Sequence, residues 1–266
     1  MISTDIRRND IDSGTPFDFG KTSEDYAKYR DIYPPRFFEA LTDRGLCVRG
    51  QRVLDLGTGT GVLPRCMYRY GAEWVGTDIS EEQISQAKRL ADMRNMQITF
   101  LTSSAETLPF PEGSFDVITA CQCFWYFDHP VIAPKLATLL KPGGRLAVLQ
   151  MNWLPYEDAL AQASENLVLQ FNPEWTGAGN QRQPVWIPED YDAFFERESA
   201  EQFDLNVPFT RESWHGRMRA CRGVGASLSG EKLAAWEQAH TAMLMQNAPE
   251  TFTILHEAAI AVLRRR

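Results

Sequence analysis

Residues Val53 to Gly61, with the sequence VLDLGTGTG, decide the fold of this chain. The segment opens within a short apolar run, Arg52 to Leu56, of the kind that forms a strand covered on both faces. It ends in glycines at alternate positions, and a helix-like segment, VLPRCMYRYG, follows and stops at Gly71. A strand that turns into a helix through glycines is typical of a parallel α/β sheet.

The segments downstream repeat this alternation of strand and helix. Helix-like patterns cover residues 80–93 and Val131–Leu140, the first with Ser80 as its N-cap and the second ended by the sequence KPGG. Further strands are predicted at Trp74–Thr77, Gln97–Leu101, Phe115–Cys121 and Arg145–Met151. Strand, helix and strand at this spacing imply right-handed crossovers, and therefore a doubly wound sheet.

The glycine turn is the first candidate binding site. Ligands of open α/β sheets bind beyond the carboxyl ends of the strands, and glycine lets a ligand approach the backbone closely. The spacing GxGxG is one residue shorter than the GxGxxG that binds a pyrophosphate, and no GK[ST] of a P-loop is present. The turn therefore favours a nucleoside without a pyrophosphate, and a tight turn with no ligand is the alternative.

An acidic residue follows the second predicted strand. Asp78 stands 21 positions after Gly57, where a carboxylate can accept both hydroxyls of a ribose. Ile79 comes next and can cover one face of an adenine. Taken alone, Asp78 could simply cap the following helix, but together with the glycine turn it favours a nucleoside site.

Composition narrows the class of protein further. The 266 residues are 44% hydrophobic and 23% charged, close to globular averages, and the net charge of −8 disfavours binding to nucleic acid. Neither a membrane span nor a secretory signal is expected. The five cysteines form no CxxC pair, so we expect buried reduced thiols and no metal site. These features predict a cytoplasmic protein that acts on a small molecule.

The pattern divides the chain into three parts. Residues 1–22 are polar and are predicted to be a flexible N-terminus. Residues 23–151 hold the α/β core with an N-terminal helix, and residues 152–266 hold a helical, aromatic-rich cap with the last strands. Tryptophan, proline and glycine become frequent after Met151, which suits a cap that recognises an apolar or aromatic ligand.

Four motifs occur together and in order: VLDLGTGTG, GTDIS, SSAETLPFPEGSFDVITACQCFWYF and LLKPGGRL. In this combination residues 26–151 resemble the class I S-adenosylmethionine-dependent methyltransferases, specifically the group that acts on small molecules. The resemblance implies a Rossmann-like methyltransferase fold with seven strands in the order 3-2-1-4-5-7-6, strand seven being antiparallel. It places the last two strands near Gln202–Phe209 and Phe252–Leu263, of which periodicity leaves the second open between helix and strand.

The resemblance also implies a set of residues around S-adenosylmethionine: Tyr26, Arg30, Asp55, Gly57, Gly59, Asp78, Ile79, Ala105, Glu106 and Cys121. The glycine turn with Asp55 would face the methionine part, Asp78 the ribose, and Ile79, Ala105 and Glu106 the adenine. Cys121 would lie beneath the cofactor, or it would only pack in the core as part of its strand. Tyr26 and Arg30 would reach in from the N-terminal helix, or lie on a surface helix. Two positions depart from the family pattern, because Ser104 replaces a common acid and Gln83 an apolar residue.

The methyl acceptor is predicted to meet the segment that follows strand four. Gln122, Trp125 and Tyr126 are the pocket candidates there, although the aromatic run could be only core. Tyr126 and His129 are candidate general bases, with a structural role as the alternative for His129, since His-Pro opens a helix. Neither an Asn-Pro-Pro-Tyr-like motif nor a Pro-Cys nucleophile follows strand four, which argues against nucleobase substrates.

The cap contributes one further pocket candidate, Arg219. Arg219 and Arg222 are predicted to share a helix face at spacing i, i+3, where with Arg211 and Arg217 they could hold a substrate carboxylate. The favoured alternative is a solvated face paired with Glu212 and other acids.

The predicted function is in-line methyl transfer from S-adenosylmethionine to oxygen, carbon or nitrogen of a small organic molecule. The alternatives are other sulfonium chemistry on the same fold, or a cofactor-binding module with a regulatory role and no turnover. The sequence carries no signal for an oligomeric state.

Overall fold

The computed structural model describes residues 8–266, and in that range seven strands form one sheet. The strands are β1 Arg52–Leu56, β2 Glu73–Asp78, β3 Thr99–Thr102, β4 Phe115–Cys121, β5 Leu140–Trp153, β6 Phe195–Thr210 and β7 Thr251–Arg265. Their order is β3-β2-β1-β4-β5-β7-β6, which confirms the predicted strand order. The predicted strand at Phe252–Leu263 is β7, so the ambiguous segment is a strand and not a helix.

The helices of the described chain are α1 Ser23–Tyr29, α2 Pro35–Thr42, α3 Val62–Met67, α4 Glu81–Asp92, α5 His129–Leu139, α6 Ala159–Phe171, α7 Arg211–Arg219 and α8 Gly230–Asn247. The predicted N-cap of α4 is confirmed, because Oγ of Ser80 accepts a 3.2 Å hydrogen bond from the amide of Gln83. The segment after α3 tightens into a 3₁₀ turn and stops at Gly71, which adopts the left-handed conformation. None of these helices combines the length and apolar character that a bilayer crossing requires.

The centre of the sheet is parallel and buried on both faces. Strand β1 lies between β2 and β4, with Asp55 paired to Gly76 on one side and to Thr119 on the other. Val53, Leu54 and Leu56 are all fully buried, as expected for a strand covered by helices. This arrangement brings the carboxyl ends of β1, β2 and β4 to one edge of the sheet.

The sequence KPGG does not form the predicted helix end. Helix α5 ends at Leu139, and β5 begins at Leu140, five residues before the predicted start. Leu140 is buried and pairs with Phe115, and the next pair in the register is Val117 with Arg145. The intervening residues bulge outward, with Gly143 in the left-handed region at φ +73°. The buried Leu140 therefore places the start of β5 before the KPGG motif, so that the motif lies within the strand as a bulge.

The described chain forms two compact units. The first contains the described part of Met1–Tyr33 with Asn152–Arg182 and Asp204–Glu257, and the second contains Pro34–Met151, Gln183–Phe203 and Ala258–Arg266. Helix α1, which we predicted with the core, belongs to the first unit, where it packs on α7. Gly216 permits this packing, because a Cβ there would lie 2.2 Å from the ring of Tyr29.

The N-terminal segment differs from the predicted flexible tail. Residues 1–7 of that prediction lie outside the described residues. From residue 8 onward the chain packs within the first unit, with Phe17 fully buried. Asp12 is buried as well, forms an ion pair of 2.7 Å with Arg222, and accepts a 2.7 Å hydrogen bond from the amide of Thr176. This buried ion pair is the physical reason why residues 8–22 do not behave as a solvated tail.

Candidate active site

The turn between β1 and α3 holds its glycines in the left-handed region, with φ of +54° at Gly57, +55° at Gly59 and +74° at Gly61. A Cβ at Gly57 would lie 2.7 Å from Cβ of Cys123, and one at Gly61 would lie 2.7 Å from the ring of Phe100. Protein packing therefore explains both of these glycines. At Gly59 the nearest atom, Oε1 of Gln83, would be 3.8 Å away, an ordinary van der Waals distance, so packing does not require a glycine there. Gly59 is half-buried and is the one of these three glycines that neighbouring side chains do not crowd, so a ligand could approach its backbone.

Asp78 ends β2 and contacts the glycine turn directly. Its Oδ2 accepts a 2.8 Å hydrogen bond from the amide of Gly59, and its Oδ1 accepts one of 2.9 Å from the amide of Ser80. Burial raises the pKa of Asp78, and the backbone donors oppose that rise. A carboxylate offers about four acceptor positions, so two backbone bonds leave capacity for further donors such as ribose hydroxyls.

Asp55 is buried one strand away from Asp78. Its Oδ2 accepts a 2.7 Å hydrogen bond from Thr58, and its Oδ1 accepts one of 2.7 Å from Thr119. Burial raises the pKa of Asp55 to about 7, with hydrogen bonds from Thr119 and Thr58 opposing the rise and the charge of Asp78 adding to it. These two hydrogen bonds link the glycine turn to β4. The contact of Asp55 with the methionine part of a cofactor stays a prediction.

Thr119 is a functional partner that the sequence reasoning missed. It stands in β4, in the otherwise mostly apolar run FDVITAC, and is fully buried. A hydroxyl in the middle of a buried strand needs a partner, and here it binds Asp55 at 2.7 Å. A buried threonine on β4 beside an acidic residue on β1 was the signal that could have identified this pair.

The predicted adenine side lies at the ends of β2 and β3. The amide of Ser103 donates to the backbone oxygen of Asp78 at 2.9 Å, which joins the two strand ends. Ala105 is buried and begins a short 3₁₀ turn, while Ile79 and Glu106 are half-buried. The structure therefore brings Ile79, Ala105 and Glu106 to the same sheet edge as Asp78.

The segment after β4 turns sharply at Gln122, a non-glycine residue with φ of +63°. The amide of Gln122 donates to the oxygen of Leu149 at 3.0 Å, and its side-chain amide donates to the oxygen of Met151. Cys121 before the turn is half-buried, and Sγ of Cys123 after it donates to the oxygen of Leu56 at 3.1 Å. The turn thereby joins the ends of β1, β4 and β5.

The predicted pocket aromatics follow in a 3₁₀ turn, Phe124–Tyr126. The rings of Trp125 and Tyr126 are half-buried and lie 5.6 Å apart. His129 begins α5 and is buried, with its Nδ1 3.1 Å from the hydroxyl of Tyr191 and its ring 4.7 Å from that of Phe124. This packing is typical of a structural histidine, and the base roles of Tyr126 and His129 stay predictions.

Tyr26, Arg30 and Arg219 belong to the first unit. The guanidinium of Arg30 lies 4.8 Å from the centre of the Tyr26 ring. Arg219 forms ion pairs with two carboxylates, those of Asp25 and Glu237, the latter at 2.9 Å. The guanidinium is therefore engaged within the protein, and its predicted contact with a substrate stays a prediction.

Two expectations about the arginine segment are wrong. Helix α7 ends at Arg219, so Arg222 lies beyond it and the two do not share a helix face. Arg222 instead pairs with Asp12. Glu212 is not the partner of these arginines either, because it binds Nζ of Lys28 at 2.8 Å. Carboxylates outside α7 neutralise Arg219 and Arg222, and local helix spacing does not reveal such partners.

Comparison with known protein families agrees with the fold and with this sheet edge. Residues 54–148 match the sequence profile of the methyltransferase domain family. The strand order and the glycine turn paired with Asp78 agree with that match. This match over residues 54–148 agrees with the resemblance to class I methyltransferases that the motifs indicated.

Individual relatives agree with this class. The chain is 41% identical over 118 residues to a demethylmenaquinone methyltransferase of Thermus thermophilus, covering 43% of this chain and 54% of the relative. It is 34% identical over 137 residues to a ubiquinone biosynthesis O-methyltransferase of Bradyrhizobium diazoefficiens, covering 50% of this chain and 53% of the relative. The alignments thus span about half the length of these curated relatives.

Solved structures share the fold at lower sequence identity. The YcgJ protein of Bacillus subtilis matches with a TM-score of 0.51 and 19% identity, covering 85% of this chain and 97% of that one. The [4+2]-cyclase SpnF matches with a TM-score of 0.53 and 22% identity, covering 86% of this chain and 80% of that one. At these identities the likeness concerns the fold alone.

Proposed function

We propose that this protein is an S-adenosylmethionine-dependent methyltransferase that acts on a small organic molecule. The observation that carries the proposal is the bond between the amide of Gly59 and Asp78 at the open edge of the sheet. An unobstructed backbone beside a carboxylate with unused acceptor positions fits an adenosine with two free ribose hydroxyls. The similarity to a demethylmenaquinone methyltransferase and to a ubiquinone biosynthesis O-methyltransferase supports a small acceptor.

Different residues of the second unit would bind different parts of the cofactor. Asp78 would bind the ribose, Ile79 and Ala105 would cover the adenine, and the turn at Gly59 would take the methionine part. Asp55 would act indirectly, because its hydrogen bonds with Thr58 and Thr119 keep the turn in place. S-adenosylmethionine, when bound, supplies a methyl group that is activated for displacement by its bond to a sulfonium.

The chain's own contribution to transfer would be orientation and exclusion of water. An in-line displacement needs the acceptor atom opposite the sulfur, and alignment alone contributes several kcal/mol (roughly 7–11 kcal/mol at best). Gln122, Trp125 and Tyr126 would form part of the acceptor pocket, the first held in its turn by bonds to Leu149 and Met151. Tyr126 would orient the acceptor in this pocket, while Tyr126 and His129 stay the candidate bases for an oxygen or nitrogen acceptor; Nδ1 of His129 already contacts the hydroxyl of Tyr191.

We also propose that the protein works in the cytoplasm. All five cysteines are free thiols, which suits a compartment where thiols stay reduced. The acidic net charge of −8 supports a small-molecule acceptor over nucleic acid.

The decisive experiment is a methyl transfer assay with radiolabelled S-adenosylmethionine over a panel of phenolic, carboxylic and amine metabolites. Label in an organic product, with one S-adenosylhomocysteine formed per methyl transferred, is the expected result. Consumption of the cofactor without label transfer would indicate other sulfonium chemistry. Tight cofactor binding with no product from any acceptor would contradict turnover and favour a regulatory module.

A further inference from the structure

Two carboxylates lie on neighbouring strands at the candidate cofactor edge of the second unit. Asp55 of β1 is 1% exposed and pairs with Gly76, and Asp78 ends β2 two residues further on. The charge of Asp78 adds to the rise in the pKa of Asp55, so the two groups interact. Among residues 8–266, no basic side chain contributes to the pKa of either carboxylate. This part of the chain therefore supplies no cation that would balance two negative charges here.

The two carboxylates differ in the kind of donor that they contact. Both oxygens of Asp78 accept hydrogen bonds from backbone amides, that of Gly59 at 2.8 Å and that of Ser80 at 2.9 Å. A backbone amide can only donate, so these bonds favour the ionised form of Asp78. Asp78 is therefore the carboxylate of this pair that keeps its charge.

The partners of Asp55 are hydroxyl groups, which can both donate and accept. The hydroxyl oxygens of Thr58 and Thr119 each lie 2.7 Å from one oxygen of Asp55. The hydroxyl of Thr119 has a second acceptor, because its oxygen also lies 3.4 Å from the backbone oxygen of Leu54. When Thr119 donates to Leu54, its oxygen can accept a hydrogen bond from protonated Asp55. The contacts of Asp55 thus accommodate both of its protonation states.

The other titratable groups that face Asp55 are neutral thiols. Burial raises the pKa of Cys47 and of Cys123 well above the usual value, and the charge of Asp55 raises both further. Burial raises the pKa of Asp55 itself to about 7. Near neutral pH this sheet edge therefore holds the charge of Asp78 and one proton that Asp55 can keep or lose.

The methyl donor and its product differ in charge as well as in size. S-adenosylmethionine carries a sulfonium, which S-adenosylhomocysteine lacks. A positive charge at a poorly solvated edge favours a second negative charge there, because such interactions are only weakly screened. We propose that Asp55 discriminates between the two compounds: it carries a proton in the empty and in the product-bound site, and it releases that proton to solvent when the positively charged donor binds. This role rests on the proposed function.

The proton balance closes over one turnover. One proton leaves Asp55 when S-adenosylmethionine binds, and one returns to it after methyl transfer has removed the sulfonium charge. At low pH the donor binds weakly, because its binding must expel the proton from Asp55. The preference for donor over product therefore increases as pH rises toward about 7 and levels off above that pH.

Calorimetric titration of the whole chain tests this role without any turnover. S-adenosylmethionine, S-adenosylhomocysteine and sinefungin, in which a carbon bearing an ammonium replaces the sulfonium, are titrated without methyl acceptor in buffers of different ionisation enthalpy. We expect both cationic compounds to release up to about one proton near pH 6, and S-adenosylhomocysteine to release none. We expect the ratio of the dissociation constants of product and donor to increase about tenfold between about pH 5.5 and 7.

Two results of these titrations would overturn the proposal. The first is equal proton release, or equal pH dependence, for S-adenosylmethionine and S-adenosylhomocysteine. The second is proton release by S-adenosylmethionine but not by sinefungin, because the release would then follow the methyl group and not the charge.

Asp55→Asn is the matched variant, because an amide has the size of the carboxyl group and does not titrate. Its carbonyl can accept from Thr58, and its amide can donate to Thr119 when that hydroxyl donates to Leu54. We expect the ratio of the two dissociation constants to stay constant with pH within about twofold, with unfolding curves verifying that the variant is folded. A ratio that still increases about tenfold would assign the proton to another group and overturn the proposal.

Thr119 provides a second test in which Asp55 is retained. Thr119→Val keeps the shape of the side chain and removes a hydroxyl that stabilises ionised Asp55. We expect the pH midpoint of the affinity change to rise by about 0.5 pH unit or more in Thr119→Val, whereas Thr119→Ser keeps the hydroxyl and the wild-type midpoint. Equal midpoints in Thr119→Val and wild type would show that Asp55 is not the group that titrates.

Failure of this role and failure of the proposed function give different results. If donor and product both bind with the same pH dependence, the cofactor site stands and the role of Asp55 fails. If neither compound shows saturable binding at any pH, the proposed function itself is contradicted, and the role of Asp55 fails with it.

Discussion

The backbone amide of Gly59 donates a 2.8 Å hydrogen bond to Oδ2 of Asp78. One residue belongs to the turn after β1 and the other ends β2, so the bond joins two neighbouring strand ends. Asp78 therefore shapes the glycine turn and, on our proposal, also binds the ribose of the cofactor. Experiments on this edge of the sheet must separate these two roles.

Gly57 and Gly59 form a matched pair for that purpose. Both have φ near +55°, so alanine costs roughly 1–2 kcal/mol of conformational energy at either position. At Gly57 the new Cβ would also lie 2.7 Å from Cβ of Cys123, whereas at Gly59 it meets nothing closer than 3.8 Å. We expect Gly57→Ala to reduce the free energy of unfolding more than Gly59→Ala does. We expect Gly59→Ala to weaken S-adenosylhomocysteine binding about tenfold or more.

Urea unfolding and calorimetric titration of both variants check this prediction. Cys123→Gly in the Gly57→Ala background removes the clashing Cβ and is expected to recover part of the lost stability. If the two alanine variants lose the same stability and the same affinity, the distinction between packed and open glycines is incorrect.

Asp55 should give the protein an unusual pH dependence. Its pKa is about 7 in the folded chain because of burial, against about 3.9 when unfolded. Between these values the folded state keeps a proton that the unfolded state has lost. Stability from this group is thus fully present below about pH 3.9, falls by up to about 1.4 kcal/mol per pH unit as pH rises toward about 7, and levels off above that pH. Urea unfolding of wild type and Asp55→Asn at several pH values checks this, and parallel curves would refute it.

Buried histidines in the first unit should act in the opposite direction. Burial lowers the pKa of His240 to about 3, with the charge of His215 lowering it further, and Nε2 of His240 contacts Oγ of Ser164 at 3.1 Å. The unfolded chain therefore takes up protons first as pH falls below about 6.5. Stability is lost between that pH and about 3, by up to about 1.4 kcal/mol per pH unit for this group.

His240→Gln keeps a polar group near Ser164 and removes the titration. We expect the difference in unfolding free energy between variant and wild type to shift in favour of the variant as pH falls from about 7 to 4. A difference that stays constant over this range would mean that His240 does not resist protonation in the folded chain.

Tyr126 tests the predicted acceptor pocket. Its half-buried ring lies 5.6 Å from that of Trp125, and we expect Tyr126→Phe to leave S-adenosylhomocysteine affinity unchanged. For an acceptor found in the transfer assay, we expect KM to rise severalfold while kcat changes little, because the hydroxyl orients the acceptor. A fall in kcat of about 100-fold would make Tyr126 a general base instead, and unchanged kinetics would remove it from the site.

The local pattern of apolar and turn residues was sufficient to predict most strands of the sheet. The predicted strands Arg52–Leu56 and Phe115–Cys121 agree with β1 and β4 at both ends, because apolar runs between turn residues leave little ambiguity. The start of β5 was misplaced, since Leu140 joins the strand through a tertiary contact with Phe115 that a turn motif conceals. The strand order came from the resemblance to a family and not from periodicity.

Side-chain partners were much harder to predict than backbone elements. The sequence located Asp78 and Gly59 but gave no sign that they bind each other, because 19 residues separate them. It marked Arg217 only as one member of an arginine group and gave no sign that its buried guanidinium forms no ion pair with a carboxylate of residues 8–266. Whether a buried charge is paired depends on residues far away in the chain, such as Asp12 for Arg222.

The central claim is that the open turn at Gly59 and the carboxylate of Asp78 bind an adenosine-bearing methyl donor. Calorimetric titration of S-adenosylhomocysteine into wild type and Asp78→Ala tests it most directly, with unfolding curves to verify that the variant is folded. The account predicts one site per wild-type chain and an affinity loss of about 1–3 kcal/mol in the variant. Equal affinity in the two proteins, or no saturable binding to wild type, would contradict it.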